Sequence, residues 1–189
     1  MKLLGLVLSG GQSSRMGRDK GALVYEKFST LDQRSRCYEL LRTVCDGAYV
    51  SCRREQERLL QPSQPRIFDS VEVPGPAAGI LSAHEAHADS AWLVLACDFP
   101  FVDEDEIRWL VKHRNPARAA TAYFHAQDAV LEPLFAVWEP EALERLKTRA
   151  GSGDFSPRRA LESLECELIS PRLQKTLINV NTPDNLLSI

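Results

Sequence analysis

The chain has 189 residues, 44% hydrophobic and 26% charged, with 23 Lys and Arg against 26 Asp and Glu. That length suits one domain over residues 1–189, burying roughly 70% of the surface its unfolded chain exposes, and a formal charge of -3 argues against a nucleic-acid partner, which would draw a basic footprint. No apolar run approaches the roughly 18 residues of a membrane span, and five cysteines without CxxC spacing read as reduced thiols of a cytoplasmic protein.

In chain order, Leu3 to Leu8 is a short apolar run ending at Ser9-Gly10-Gly11, the profile of a buried strand entering a tight loop. It is too short for a signal-peptide core. Ala48–Cys52 and Arg66–Asp69 read as the next two strands, and Trp92–Cys97 as the clearest buried one, stopping at Asp98-Phe99-Pro100. Between them, Tyr38, Leu41 and Cys45 share one helical face and Ile80, Ala83, His84 and His87 another. Asp103 and Glu106 stand in capping-box register ahead of Ile107, Leu110 and Val111. Ala119–Phe124 and Leu134–Trp138 are predicted strands, and Glu139–Arg149 a helix. Residues 151–157 are the expected mobile loop, and Ser156-Pro157 opens a short helix. Leu177–Asn181 is a predicted strand, with Thr182-Pro183 opening a last helix. Strands alternating with helices imply crossover units and a mainly parallel sheet.

After the first strand comes Gly10-Gly11-Gln12-Ser13-Ser14-Arg15-Met16-Gly17-Arg18-Asp19-Lys20. Glycines let the backbone turn sharply and aim successive N–H groups at an anion. Arg15 and Lys20 add cations, and Ser13 and Ser14 add hydroxyls, so the run describes a phosphate cradle. Its spacing is neither that of a Walker loop nor that of the dinucleotide fingerprint. Asp98 ends a continuous apolar strand, at the sheet edge where open α/β folds bind ligands. A carboxylate there can hold Mg²⁺, which keeps waters and shares substrate phosphates; the competing role is a turn or cap residue before Pro100. Asp69 is either a ligand contact at its strand end or an Asx-turn residue. His84 and His87 lack the spacing of a zinc helix and are expected to be surface or half-buried helix residues. Cys97 is expected to be a core residue.

Taken whole, Leu8-Ser9-Gly10-Gly11-Gln12-Ser13-Ser14-Arg15-Met16-Gly17-Arg18-Asp19-Lys20 resembles the signature of nucleotidyltransferases that handle the molybdenum cofactor, and the guanylyltransferase branch in particular. Asp69, Gly75-Pro76-Ala77-Ala78-Gly79-Ile80, Leu95–Pro100, Glu132-Pro133-Leu134 and Asn179–Pro183 follow in that family's order. The resemblance implies a Rossmann-like three-layer α/β/α fold with a mostly parallel sheet, of the nucleotide-diphospho-sugar transferase type. It implies a Mg²⁺-dependent transfer of GMP from GTP to molybdopterin or the molybdenum cofactor, with molybdoenzymes or cofactor-delivery proteins as downstream partners. Carried over residue by residue, the resemblance implies that Leu8, Ser9, Gly10, Gly11, Lys20, Asp69 and Asp98 contact the nucleotide, with Arg53 at a further nucleotide-contacting position, and that Asp98 holds the metal. Arg15, Lys20 and Asp98 carry catalysis, and Asn179 and Asn181 lie toward the acceptor. Two departures stand out: residues 21–36 lack the family's usual strand and turn, and Arg53 replaces a nucleotide-contacting asparagine. A transferase using CTP or a sugar-phosphate acceptor, and a nucleotide-binding delivery module without catalysis, are the alternatives.

Overall fold

The computed structural model describes residues 1–9, 19–125 and 130–180. Its strands are β1 (Leu3–Leu8), β2 (Gly47–Cys52), β3 (Arg66–Phe68), β4 (Ala91–Ala96), β5 (Ala120–His125), β6 (Val130–Trp138) and β7 (Cys166–Ile169). They form one sheet in the order β3-β2-β1-β4-β6-β5-β7. β6 runs antiparallel to β4 and β5, and the other pairings are parallel. β1 and β4 are buried along their whole length at the centre, which is why both read as unbroken apolar runs rather than alternating ones.

The helices are α1 (Gln33–Arg42), α2 (Pro76–Ala86), α3 (Glu104–Lys112), α4 (Pro140–Gly151) and α5 (Pro157–Glu162). α1 and α3 pack together in one layer, and α2, α4 and α5 form the other, giving the three-layer α/β/α arrangement. No described helix is long and apolar enough to cross a membrane. Side-chain caps set the helix starts: Asp32 accepts from Ser35 N at 2.7 Å, Asp103 from Glu106 N at 2.8 Å and Ser156 from Arg159 N at 3.3 Å. At Gly79, α2 approaches the sheet so closely that an added methyl group would run into the Ser51 hydroxyl and come within 2.9 Å of Leu8 Cδ2.

Several expectations are corrected. The Asp103–Glu106 capping box is half made: Glu106 is buried, and its carboxylate accepts from Arg172 N at 3.1 Å instead of turning back to the cap. His84 is not a surface residue but is buried, with Nε2 2.7 Å from Glu144 Oε1 across the α2–α4 contact. β6 begins at Val130, earlier than expected, and passes through Pro133. The strand expected over Leu177–Asn181 is absent from residues 177–180: Gln174–Leu177 is a 3-10 turn followed by irregular chain. The last parallel strand is β7, which the sequence reading did not identify. The 151–157 stretch is braced by Asp154, which accepts from both Arg149 and Arg159 and from Ser156 N. The helix expected at Thr182-Pro183 lies outside the described residues. Cys97 is in the core as expected, and all five cysteines are free.

Candidate active site

The sheet order reverses between β1 and β4: the chain proceeds from β1 outward to β2 and β3, then returns to β4 on the other side. The carboxyl ends of two such strands diverge and leave a crevice, the switch point at which open α/β sheets bind ligands. The described candidate residues converge on that edge. Leu8 closes β1, Ser9 and Arg53 follow β1 and β2, Asp69 follows β3, and Asp98 follows β4 two residues on. Gly10, Gly11, Arg15 and Asn181 lie outside the described residues.

Asp98 and Lys20 meet. Lys20 Nζ stands 3.6 Å from Asp98 Oδ2, both side chains about a fifth exposed at 24% and 19%. The other carboxylate oxygen, Asp98 Oδ1, is buried and has no hydrogen-bond partner. Burial pushes the Asp98 carboxyl above the usual carboxylate range, and the Lys20 ammonium only partly offsets that. A half-satisfied carboxylate of this kind costs free energy unless a cation completes its shell. The Asp98 carbonyl accepts from Val180 N at 2.9 Å, which brings the neighbouring Asn179 to the same loop, with a buried Oδ1 that also lacks a partner.

A second group forms on the β2–β3 side. Ser9 Oγ donates to the Ser51 carbonyl at 2.9 Å, and Ser51 Oγ donates to Asp69 Oδ1 at 2.7 Å. Burial raises the Asp69 carboxyl, while the Ser51 hydroxyl and the nearby Arg53 guanidinium pull it down. Arg53 is itself exposed, its backbone N–H bonded to Gln56 Oε1 at 3.0 Å at the start of the Arg54–Leu59 3-10 turn. Gly75, at a φ of 74°, caps α2, a left-handed conformation that only glycine adopts cheaply.

Four residues at this edge were not among the predicted site residues, although Glu132 stands in a segment that carries the resemblance. Ser51 orients Asp69. Tyr25 is buried beside Asp98, Cys97 and Cys37, and its phenol is pushed up to about 12, chiefly by burial and then by the Asp98 charge. Glu132, at the start of β6, is buried, accepts from Leu134 N at 2.9 Å and lies 3.6 Å from His125 Nε2. Its carboxyl is raised by burial and further by Asp98. Arg34, on α1, is 2% exposed and reaches Asp19. Tyr25 and Arg34 both fall within residues 21–36, one of the two places where the chain departs from the resemblance, and that departure was the available signal.

Such an arrangement can bind a metal-chelated polyphosphate. It offers an ammonium and an unsatisfied carboxylate on one side of the crevice and a hydrogen-bonded carboxylate with a guanidinium on the other. Among the described residues no cluster of three or more His, Cys, Asp or Glu could hold a metal unaided.

Comparison with known proteins agrees with the geometry. Residues 5–168 match the family model of the MobA-like NTP transferase domain. The chain is 36% identical over 191 residues to a molybdenum cofactor guanylyltransferase of Pseudomonas aeruginosa, covering 96% of this chain and 91% of that one. It is 30% identical over 184 residues to a molybdenum cofactor biosynthesis bifunctional protein of Synechocystis, covering 97% of this chain; the chain thus spans about half that relative's length, 52%. A solved structure titled molybdopterin-guanine dinucleotide biosynthesis protein A, from Archaeoglobus fulgidus, superposes with a TM-score of 0.79 at 23% identity, covering 98% of this chain and 95% of that one. That likeness establishes the shared fold.

Proposed function

This chain belongs to the MobA-like NTP transferase family and is a nucleotidyltransferase of that type, and from that premise we propose that it transfers GMP from GTP to the terminal phosphate of molybdopterin or its molybdenum-loaded form. Pyrophosphate leaves, and the reaction takes place in the cytoplasm. The printed name of the Pseudomonas aeruginosa relative supports the guanylyl assignment.

The observation that carries the reading is Asp98: a buried carboxylate oxygen without a partner, at the end of β4 and beside the Lys20 ammonium. Asp98, with Asn179 next to it, fits a Mg²⁺ ion that arrives with the nucleotide. When bound, Mg²⁺ neutralises triphosphate charge and draws electron density from the phosphorus under attack. Lys20 holds the β- and γ-phosphate oxygens and stabilises the charge that collects on departing pyrophosphate. Ser9, with Leu8 beneath it, shapes the floor of the crevice, and Gly10, Gly11 and Arg15 complete the phosphate cradle. Asp69, fixed by Ser51, and Arg53 lie on the nucleoside side.

The acceptor is already an anionic phosphate, so no general base is needed. Its oxygen bonds to the α-phosphorus as the α–β bridging bond breaks in line. The protein's contribution is positioning and charge neutralisation. Asn179 and Asn181 are the residues assigned to binding that acceptor in this proposal.

A thermal-shift panel of GTP, CTP, ATP and UTP with Mg²⁺ tests the assignment. A ligand at a hundredfold excess over its Kd stabilises the native state by about 2.7 kcal/mol, and GTP is expected to give the largest shift. Equal shifts for all four nucleotides would remove guanine specificity and leave a general nucleotide site. A larger shift with CTP would favour the cytidylyl alternative.

A further inference from the structure

Lys20 is set in place by Asp19, from the signature run, and by Arg34, from the segment 21–36 that departs from the family pattern. Lys20 opens a 3-10 turn over Lys20–Ala22, and Asp19 is its cap, with Oδ1 accepting from Gly21 N at 2.9 Å. The other oxygen of the same carboxylate, Oδ2, accepts from Arg34 Nη2 at 2.5 Å. Arg34 Nη1 donates to the Leu59 carbonyl at 3.2 Å, at the end of the 3-10 turn that follows Arg53. The arginine is 2% exposed, and its Nε is buried without a partner. Gly21 lies flat on the guanidinium: a methyl group there would stand 2.7 Å from Nη2. The backbone around Lys20 is therefore clamped between its own cap and a buried fork anchored in α1.

Burying a guanidinium with an unsatisfied Nε is expensive. Stability alone would be served as well by an apolar residue of similar volume. What the charged fork adds is geometry: two donors at fixed separation joining the Lys20 turn to the Arg54–Leu59 turn. An ammonium on four rotatable bonds is a good phosphate ligand only if its stem starts from a fixed point.

We propose that Arg34 is a positioning residue for nucleotidyl transfer, setting through Asp19 where the Lys20 ammonium stands relative to Asp98 and tying it to the nucleoside side. The proposal rests on Lys20 acting on the nucleotide phosphates. Arg34 itself touches no reacting atom.

The test is a double-mutant cycle in the full chain, using Arg34→Met and Arg34→Lys, each with and without Lys20→Ala. kcat and KM are read from pyrophosphate release with GTP and molybdopterin, GTP·Mg²⁺ affinity is read by calorimetry, and Tm is measured on the same preparations. Arg34→Lys keeps the charge and loses the fork, so it is expected to lower kcat at least tenfold at temperatures well below its Tm. Asp19→Asn should reproduce that loss. In the Lys20→Ala background either Arg34 substitution should cost less than a further twofold, because no ammonium remains to be positioned. Equal losses in both backgrounds would mean that Arg34 is only structural and would overturn the proposal, as would wild-type kcat in Arg34→Lys. If Arg34→Met does not fold, the Arg34→Lys arm decides. Should Lys20→Ala alone keep wild-type turnover and affinity, the reading of Lys20 fails first, and the cycle shows it separately.

Discussion

At the residue scale, Asp98 carries an electrostatic cost in the free protein that a bound cation would offset. Asp98→Asn keeps the shape and removes the charge. The folded carboxyl titrates above its unfolded value because of burial, so its contribution to stability is full below the unfolded pKa and is lost as pH rises through the folded one. The Asn variant lacks that loss, and at neutral pH its Tm should equal or exceed that of wild type, while nucleotide affinity loses its Mg²⁺ dependence and turnover becomes very slow. A Tm drop matching roughly 0.5–2 kcal/mol with Mg²⁺-dependent activity retained is the signature of a mere cap or turn residue, and would refute the metal assignment. The same shift predicts a pH window: under the proposed metal role protons would compete with the cation at Asp98, so Mg²⁺-dependent GTP affinity in wild type should begin to fall, on acidification, at a higher pH than an ordinary carboxylate would give. Calorimetric titrations across that range measure it. Lys20→Ala removes the cation that partly holds this pKa down, and should move the window higher still. Asp98 was legible in the sequence because it ends an unbroken apolar strand. Arg34 was not, because a charged side chain in an amphipathic helix gives no sign that it is buried until the turn it holds is seen.

At the element scale, legibility followed burial symmetry. β1 and β4 lie at the sheet centre, buried on both faces, and their apolar runs mark them without ambiguity. β7, with the sequence Cys-Glu-Leu-Ile, is an edge strand with no buried residue, so it carries neither the continuous nor the alternating pattern. β6 hid its start behind Glu132-Pro133. Proline suits strand edges or bulges, and here the register with β5 shifts between Ala122 and Tyr123, so that Ala136 and Glu132 face adjacent partners and Pro133 falls in the excess loop of chain. Leu177–Asn181 misled in the opposite sense, because Leu177 and Val180 are both buried three residues apart, a spacing that suits a turn. The close approach at Gly79 gives a direct test. Gly79→Ala drives a methyl group into Ser51 and Leu8, and overpacking of this kind costs about 1–3 kcal/mol. Ser51 also holds Asp69, so the variant should lose GTP affinity as well as Tm. If Tm falls and calorimetric affinity stays at the wild-type value, Asp69 does not need Ser51 to hold it.

At the scale of the whole molecule, the two edges of the sheet divide the work. The carboxyl ends of the parallel strands carry the half-satisfied groups: Asp98 Oδ1, Asn179 Oδ1 and the Nε of Arg34. The opposite edge has an unpartnered group too, Trp92 Nε1 at the start of β4, but it also holds a fully paired buried ion pair. Arg114, just past α3, makes a two-pronged contact with Glu139, Nε to Oε1 at 2.6 Å and Nη2 to Oε2 at 2.9 Å, with side-chain exposures of 14% and 5%. Glu139 also caps α4 and takes its own N–H bond to the Ala119 carbonyl at 3.0 Å. This pair therefore links α3 in one helix layer to α4 in the other, beneath the sheet and away from the crevice. Removing one charge of a buried, bidentate pair leaves its partner short of an acceptor, and hydrogen bonds to charged groups are worth about 1.5–3 kcal/mol each. Glu139→Gln should thus lower Tm by several degrees, taking roughly 2–4 °C per kcal/mol for a chain of this size, while GTP·Mg²⁺ affinity measured well below the transition stays within twofold of wild type. Asp98→Asn should do the reverse, sparing Tm and removing metal-dependent affinity. If Glu139→Gln weakens nucleotide binding as much as it weakens the fold, the two edges are coupled, and stability and function are not divided between them.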